Sequence, residues 1–181
     1  SLDDKLMIAR RLDDFGVDYI EGGWPNPTNP KDLEFFKRAN SQTFENARIT
    51  AFGSTRRATN KPEDDATLNT LLSAETEAIC IFGKSWTLHV TEVLNIDLEE
   101  NVKMIEDSVS YLKGRDREVI YDAEHFFDGY KADQGYAIGT LKAAEAGGAS
   151  CVVLCDTNGG TLPLEIVDIV KDVTSKVGIP F

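Results

Sequence analysis

Histidine and cysteine are scarce in this sequence, and the scarcity limits the metal chemistry open to it. The 181 residues include two histidines, His89 and His125, and three cysteines. The histidines are too far apart for a two-histidine metal motif such as His-x-His or His-x-x-x-His. The cysteines lie in apolar, strand-like stretches, so we expect reduced thiols rather than disulfides. The sequence therefore predicts no metal site built from its own residues.

Basic residues and long apolar runs are also lacking. Lysine and arginine number 19 against 31 acidic residues, which gives a formal net charge of −12. A nucleic-acid or anionic membrane partner requires concentrated positive charge, and a membrane span requires about 18 or more consecutive apolar residues. We therefore expect a cytoplasmic protein with no nucleic-acid or membrane partner, and one domain over residues 1–181.

Short apolar stretches alternate with helical patterns along the chain. Strand-like stretches begin at residue 17 and cover 47–54, 77–83, 118–124 and 150–156, with the opening of one more at 178–181. Helical patterns cover 2–15, 30–40, 64–74, 98–112, 134–146 and 164–177. This alternation is the repeat of βα units in a parallel sheet. Such units build either a doubly wound sheet or part of a TIM (β/α)₈ barrel. No Gly-x-Gly-x-x-Gly follows the first strand and no phosphate-binding loop motif occurs, so the usual nucleotide-binding open sheets lack support. Polar residues at several strand ends favour an α/β fold that is an incomplete TIM barrel.

Two acids end the strand-like stretch 118–124, directly behind the apolar pair 119–120, and residues 121–129 are expected to form a polar strand end. Because side chains alternate along a strand, Asp122 and Glu124 share one face. A desolvated carboxylate beside a like charge has a raised pKa, which suits a general acid or base, so Glu124 is the catalytic candidate. The alternative is a solvated rim or an N-cap for the next helix.

Other strand ends supply further candidates. Thr157 shares a face with Cys151 and Cys155, and its hydroxyl can donate to a carboxylate or enolate oxygen, although residues 156–160 equally suit a turn. Glu21 precedes two glycines that allow close approach of a ligand, or else its carboxylate accepts from backbone amides in a tight loop. The substrate-binding candidates are Glu21, Asp122, Phe52, Phe82, Arg56 and His89, with barrel filling as the alternative for the two phenylalanines.

Five motifs in order carry a family resemblance, at residues 20–25, 52–57, 82–89, 121–129 and 156–160. Over its whole length the sequence resembles the citramalate synthases, which belong to the α-isopropylmalate and homocitrate synthase family of metal-dependent, HMG-CoA lyase-like TIM barrels. The resemblance implies an acyltransferase of branched-chain amino acid biosynthesis that joins acetyl-CoA to a 2-oxo acid, pyruvate, in a Claisen-type step. A divalent ion, Mg²⁺ or Mn²⁺, would polarise the ketone.

The resemblance also implies roles for individual residues. Glu124 would lie near the reacting acetyl group, Thr157 would contact the oxo-acid carboxylate, and Asp122 would shape the oxo-acid pocket. Phe52 and Phe82 would favour the methyl group of pyruvate over a branched chain. Within the family the alternative is an α-isopropylmalate or homocitrate synthase, and outside it a non-catalytic α/β module that binds a ligand or partner.

Two family motifs are missing from this sequence, the Arg-Asp-Gly of the first barrel strand and the His-x-His of the seventh. We therefore expect the metal ligands to lie outside this chain and the barrel to lack its first strand and last units. A chain of this kind would be inactive alone. Its open sheet edges would favour pairing with another copy, as a homo-oligomer or dimer.

Overall fold

The computed structural model describes residues 1–26, 28 and 30–181, and a parallel sheet of five strands organises them. The strands are β1 (Tyr19–Glu21), β2 (Arg48–Ser54), β3 (Ala78–Lys84), β4 (Glu118–Glu124) and β5 (Cys151–Leu154). They lie side by side in chain order, with every neighbouring pair parallel. The sheet curls into half of a barrel, which confirms the incomplete TIM barrel predicted from the sequence.

Seven α-helices connect and flank the strands in the described part of the chain. They are α1 (Leu2–Phe15), α2 (Pro30–Asn40), α3 (Ala66–Ser73), α4 (Leu98–Lys113), α5 (Phe126–Ala132), α6 (Gln134–Gly147) and α7 (Pro163–Thr174). A 3₁₀ turn (Pro62–Asp64) precedes α3, and a π-helical segment (His89–Leu94) follows β3. None of these helices is long and apolar enough to cross a membrane.

The hydrophobic core lies between the helices and the convex face of the sheet. Strand residues that alternate towards the helices are fully buried, among them Ile79 and Ile81 of β3 and Val119 and Tyr121 of β4. Because alternate residues point the other way, Phe82 of β3 and Asp122 and Glu124 of β4 face the concave side. The core thus fixes which side chains reach the barrel interior.

Side-chain caps set several helix boundaries. Ser1 and Asp4 form a capping box at the start of α1, and Gly16 ends that helix at φ 87°. Asp65 accepts from the amides of Thr67 and Leu68 and so starts α3. The sequence pattern predicts this helix from residue 64, but the 3₁₀ turn occupies that position.

The structure corrects the sequence prediction in four other places. Residues 125–129, expected as a polar strand end, contain the start of α5. The last helix runs to Thr174 rather than to residue 177, and β5 covers four residues rather than the seven predicted. Residues 178–181 do not form the expected strand, although the carbonyl oxygen of Pro180 accepts a hydrogen bond from the amide of Val152.

Candidate active site

The carboxyl ends of the five strands meet at one edge of the half-barrel. Since all strands are parallel, Glu21, Lys84 and Glu124, which end β1, β3 and β4, lie at the same edge. Thr157 lies in the turn that follows β5, at this edge as well. The structure thereby gathers the strand-end candidates at one mouth, the usual location of a barrel active site.

Glu124 forms an ion pair with Lys84. The two residues are register partners on β4 and β3, and Lys84 Nζ donates to Glu124 Oε2 with both side chains largely buried. The sequence analysis expected the partner of Glu124 to be a like charge, but the structure supplies an ammonium group. The carboxylate is therefore held on the concave face by Lys84, and His125, not Glu124, is the N-cap residue of α5.

Asp122 approaches Glu21 and Cys80 instead. One potential metal-ligand atom of each residue lies within 4.8 Å of the other two. The Cys80 thiol also donates a hydrogen bond to Asp122 Oδ1 over 3.1 Å. Burial, and then the charge of Asp122, raise the pKa of Glu21, while burial raises the pKa of Asp122. Burial also raises the pKa of the Cys80 thiol, with the two acids adding to the effect. These three strands thus bring two carboxyl groups with raised pKa values beside a protonated thiol.

This cluster is the one group of three potential metal ligands among the described residues. Mg²⁺ takes oxygen ligands, and neither a protonated thiol nor a carboxyl with a raised pKa suits it. The cluster therefore does not fit Mg²⁺ as a three-ligand set.

The hydroxyl of Thr157 is fixed by the backbone of the neighbouring strand end. The amide of His125 donates to Thr157 Oγ1 over 2.9 Å. The turn itself is built by Asp156, whose carboxylate accepts from the amide and hydroxyl of Thr161. Asp156 thus provides the turn chemistry expected of this segment, and a substrate contact by the Thr157 hydroxyl stays a prediction.

His89 joins an aromatic cluster at the mouth. Its ring packs 4.5 Å from the His125 ring, nearly perpendicular, and 4.9 Å from the Trp86 ring. Burial, followed by the charges of His125 and Lys84, lowers the pKa of His89. A neutral imidazole therefore predominates here near pH 7.

Three aromatic rings line the concave face beside the acids. Phe52 and Phe82 stack with centroids 5.6 Å apart, and Trp24 packs edge-on against them at 6.4 and 6.0 Å. Lys84 Nζ lies 5.5 Å from the centre of the Phe82 ring. These rings form a wall next to the Lys84–Glu124 pair.

Arg56 lines a cavity together with Phe82 and Lys84, but its guanidinium group is held by protein partners. Its side chain is 4% exposed and pairs with Glu100 and Asp107, while Nη1 donates to three backbone carbonyl oxygens, including that of Asn60. These contacts use the guanidinium to hold a loop against α4. Its predicted substrate-binding role gains no support from the contacts.

Sequence reasoning counted Lys84 among the polar strand ends but gave it no role, and it gave no role to Cys80 or Trp24. Lys84 and Cys80 share the inward face with Phe82 by the same period-two alternation that singled out Asp122 and Glu124. That signal was present, because a lysine at a strand end beside a predicted catalytic strand is a natural carboxylate partner. For Trp24 the signal was weaker, since it follows β1 in a loop.

Comparison with known proteins places the chain in a family. The HMGL-like family model matches residues 1–181. (R)-citramalate synthases of Geobacter sulfurreducens and Aquifex aeolicus are 54% and 57% identical, over 99% and 97% of this chain and 34% and 33% of their own lengths. A 2-isopropylmalate synthase of Sulfolobus acidocaldarius is 29% identical over 98% of the chain and 43% of its own length.

Solved structures agree with the fold. An HMG-CoA lyase from Pseudomonas aeruginosa superposes with a TM-score of 0.75 at 17% sequence identity, covering 98% of this chain and 58% of that one. The chain thus spans about a third of the length of the citramalate synthases it resembles. It belongs to the HMGL-like family.

Proposed function

We propose that this member of the HMGL-like family is part of a citramalate synthase, an acyltransferase that condenses acetyl-CoA with pyruvate. The observation that carries the proposal is the ion-paired Glu124 at the barrel mouth, beside the anchored hydroxyl of Thr157. Identities of 48–57% with citramalate synthases, against about 29% with a 2-isopropylmalate synthase, favour pyruvate as the oxo acid. Residues 1–181 would form one partial catalytic domain.

Glu124 acts as the base in this proposal. Its carboxylate takes a proton from the methyl group of acetyl-CoA, and the resulting carbon nucleophile attacks the ketone carbon of pyruvate to form the new carbon–carbon bond. The electron pair of the ketone π bond moves to the oxygen, which takes up a proton from water, and Glu124 returns its proton to water. A water molecule then adds to the thioester carbon and displaces CoA as the free thiol, which leaves a carboxylate. Lys84 donates to the carboxylate of Glu124 and so orients it.

Thr157 and the aromatic wall position the oxo acid. The Thr157 oxygen accepts from the His125 amide, so its own proton remains free to donate to the pyruvate carboxylate. Phe52, Phe82 and Trp24 limit the room beside that position, which suits a methyl group. Glu21 and Asp122, whose pKa values are raised by burial, contact the substrate at the same mouth in this proposal. His89 lies at its rim.

The metal and the assembly belong to the proposal as well. The HMGL-like family is metal-dependent, with Mg²⁺ or Mn²⁺, and that ion polarises a ketone when bound. We place its ligands outside the described residues, because the Glu21–Cys80–Asp122 set does not suit it. We also propose a cytoplasmic homo-oligomer, in which another copy covers an open edge of the sheet.

The test is substrate selection by a full-length protein that carries this segment. Acetyl-CoA would be incubated with pyruvate, 2-oxoisovalerate or 2-oxoglutarate, with release of CoA followed by a thiol reagent and products identified by mass spectrometry. We expect citramalate from pyruvate, and no release by the Glu124→Gln variant. Release with 2-oxoisovalerate or 2-oxoglutarate alone would identify a different synthase, and no release with any of the three would favour a binding module.

A further inference from the structure

His125 has a backbone conformation that side chains rarely adopt. Four non-glycine residues in the described ranges have positive φ, namely Glu75, Asn95, Asp116 and His125. Glu75 and Asp116 lie before strands, at the far edge of the sheet, and Asn95 ends the π-helical segment. His125 alone of the four directly follows a strand at the mouth, with φ 53°. Such conformations are strained and cluster at functional sites.

The left-handed turn at His125 directs backbone donors onto the end of the neighbouring strand. The His125 amide donates to Thr157 Oγ1, and the next amide, of Phe126, donates to the carbonyl oxygen of Cys155 over 3.1 Å. Since a hydroxyl that accepts from an amide keeps its own proton, the Thr157 hydroxyl is left with one donor for another partner. The unusual φ therefore determines where that donor points.

The His125 ring makes a second set of contacts. Its Nδ1 is buried without a hydrogen bond and lies 3.5 Å from Asp128 Oδ2, which accepts from the Asn158 amide group over 3.0 Å. The ring also packs nearly perpendicular to His89 at 4.5 Å. The imidazole therefore connects the acidic end of α5 with the histidine that follows β3.

We propose that His125 is a positioning residue with two separable roles, the backbone amide fixing the Thr157 hydroxyl and the imidazole fixing His89. The inference rests on the proposed function, in which Thr157 holds the oxo-acid carboxylate. The backbone role then sets the affinity for pyruvate. The ring role sets the orientation of His89 beside the Lys84–Glu124 pair, and hence the rate.

Two substitutions separate these roles in a full-length protein that carries this segment. His125→Gly keeps the amide and the positive φ but removes the ring, so we expect kcat to fall about 10-fold with KM for pyruvate changed less than about 2-fold. His125→Ala also removes the ring but strains the left-handed turn, so KM should rise about 10-fold as well. His125→Asn, which tolerates positive φ and places a polar group near Asp128, should recover part of kcat. Asp116→Gly, at another positive-φ position, is the matched control and should leave both constants unchanged.

A measurement without turnover separates failure of this inference from failure of the proposed function. The His89 ring would be titrated by NMR in the full-length protein that carries this segment and in its variants. We expect the pKa of His89 to rise in His125→Gly, because removal of the ring lessens burial and removes the His125 charge, and to stay unchanged in Asp116→Gly. An unchanged pKa together with unchanged kinetic constants in His125→Gly would overturn the inference. A wild-type protein inactive on pyruvate whose His89 still shifts would overturn the proposed function and leave the ring contact established.

Discussion

Lys84 and Glu124 are register partners at the ends of β3 and β4, and their side chains form an ion pair on the concave face of the sheet. Each side chain is about a fifth to a quarter exposed, so the pair is only partly screened by water. An ammonium group that donates to a carboxylate holds it in one orientation, and a base must be held within reach of the proton that it takes. The strand register thus supplies an orienting partner that the local sequence of β4 does not contain.

Glu124→Gln should reduce turnover without unfolding the protein. The amide fills the same space and can still contact Lys84, but it cannot accept a proton from the acetyl group. We expect kcat to fall about 10²–10⁴-fold. The measurement is CoA release by the full-length protein, with circular dichroism as the check on folding. Turnover within 2-fold of wild type would remove Glu124 from the mechanism.

Thr157→Val should weaken oxo-acid binding more than it slows the reaction. Valine has the shape of threonine without the hydroxyl, so it leaves the His125 amide without its acceptor and the carboxylate without its donor. We expect KM for pyruvate to rise about 10-fold, and Thr157→Ser to restore most of the affinity. Steady-state kinetics with pyruvate varied would check this, and equal KM values for the valine and serine variants would contradict it.

The sequence was sufficient to predict the alternation of strands and the inward faces. Apolar periodicity and turn residues are local properties, so β4 was predicted with the bounds that it has in the structure, and Asp122 and Glu124 share a face as expected. The contact between Lys84 and Glu124 depends on register between strands 40 residues apart. Register is set by packing of the whole sheet, so a single segment does not reveal it.

Two other features were beyond local reasoning for different reasons. Helix α5 has seven residues and follows an acidic strand end, and its start depends on the left-handed His125 rather than on a helical pattern. Arg56 has the charge of an anion-binding residue, but its burial against Glu100 and Asp107 results from the packing of α4. Charge alone indicates which residues can bind an anion, and burial determines whether they are free to do so.

Asp122→Asn should stabilise the protein, and more so as the pH rises. Burial raises the pKa of Asp122, so the folded state holds a proton more tightly than the unfolded chain. The stabilisation from this tighter proton binding is complete below the ordinary pKa near 3.8. It is lost as the pH rises through the pKa of Asp122 in the folded state. Asparagine never ionises, so the free energy of unfolding of the variant should increase relative to that of wild type between pH 4 and pH 7, as measured by urea unfolding. The exposed Asp168→Asn variant is the control, and an equal pH response in both variants would contradict the prediction.

Phe82→Ala should widen the choice of oxo acid. The ring stacks on Phe52 and meets Trp24, so its removal opens space beside the mouth. Pockets of this type discriminate by about 10–200-fold for each methylene. We expect kcat/KM for 2-oxoisovalerate relative to pyruvate to rise within that range in the full-length protein. Phe15→Ala, at a position 85% exposed, should leave the ratio unchanged, and a similar ratio for both variants would place the specificity elsewhere.

Arg56→Met should destabilise the fold strongly, whereas Arg57→Met should not. The buried guanidinium of Arg56 neutralises Glu100 and Asp107 and satisfies three carbonyl oxygens, and methionine would leave these groups without a partner. Breaking a buried ion pair from one side costs about 3–5 kcal/mol. Arg57 is exposed, so its loss should change the free energy of unfolding by less than about 0.5 kcal/mol. Urea unfolding of both variants at pH 7 measures the difference. Equal midpoints would show that the Arg56 contacts contribute little to stability and would return Arg56 to the substrate-binding candidates.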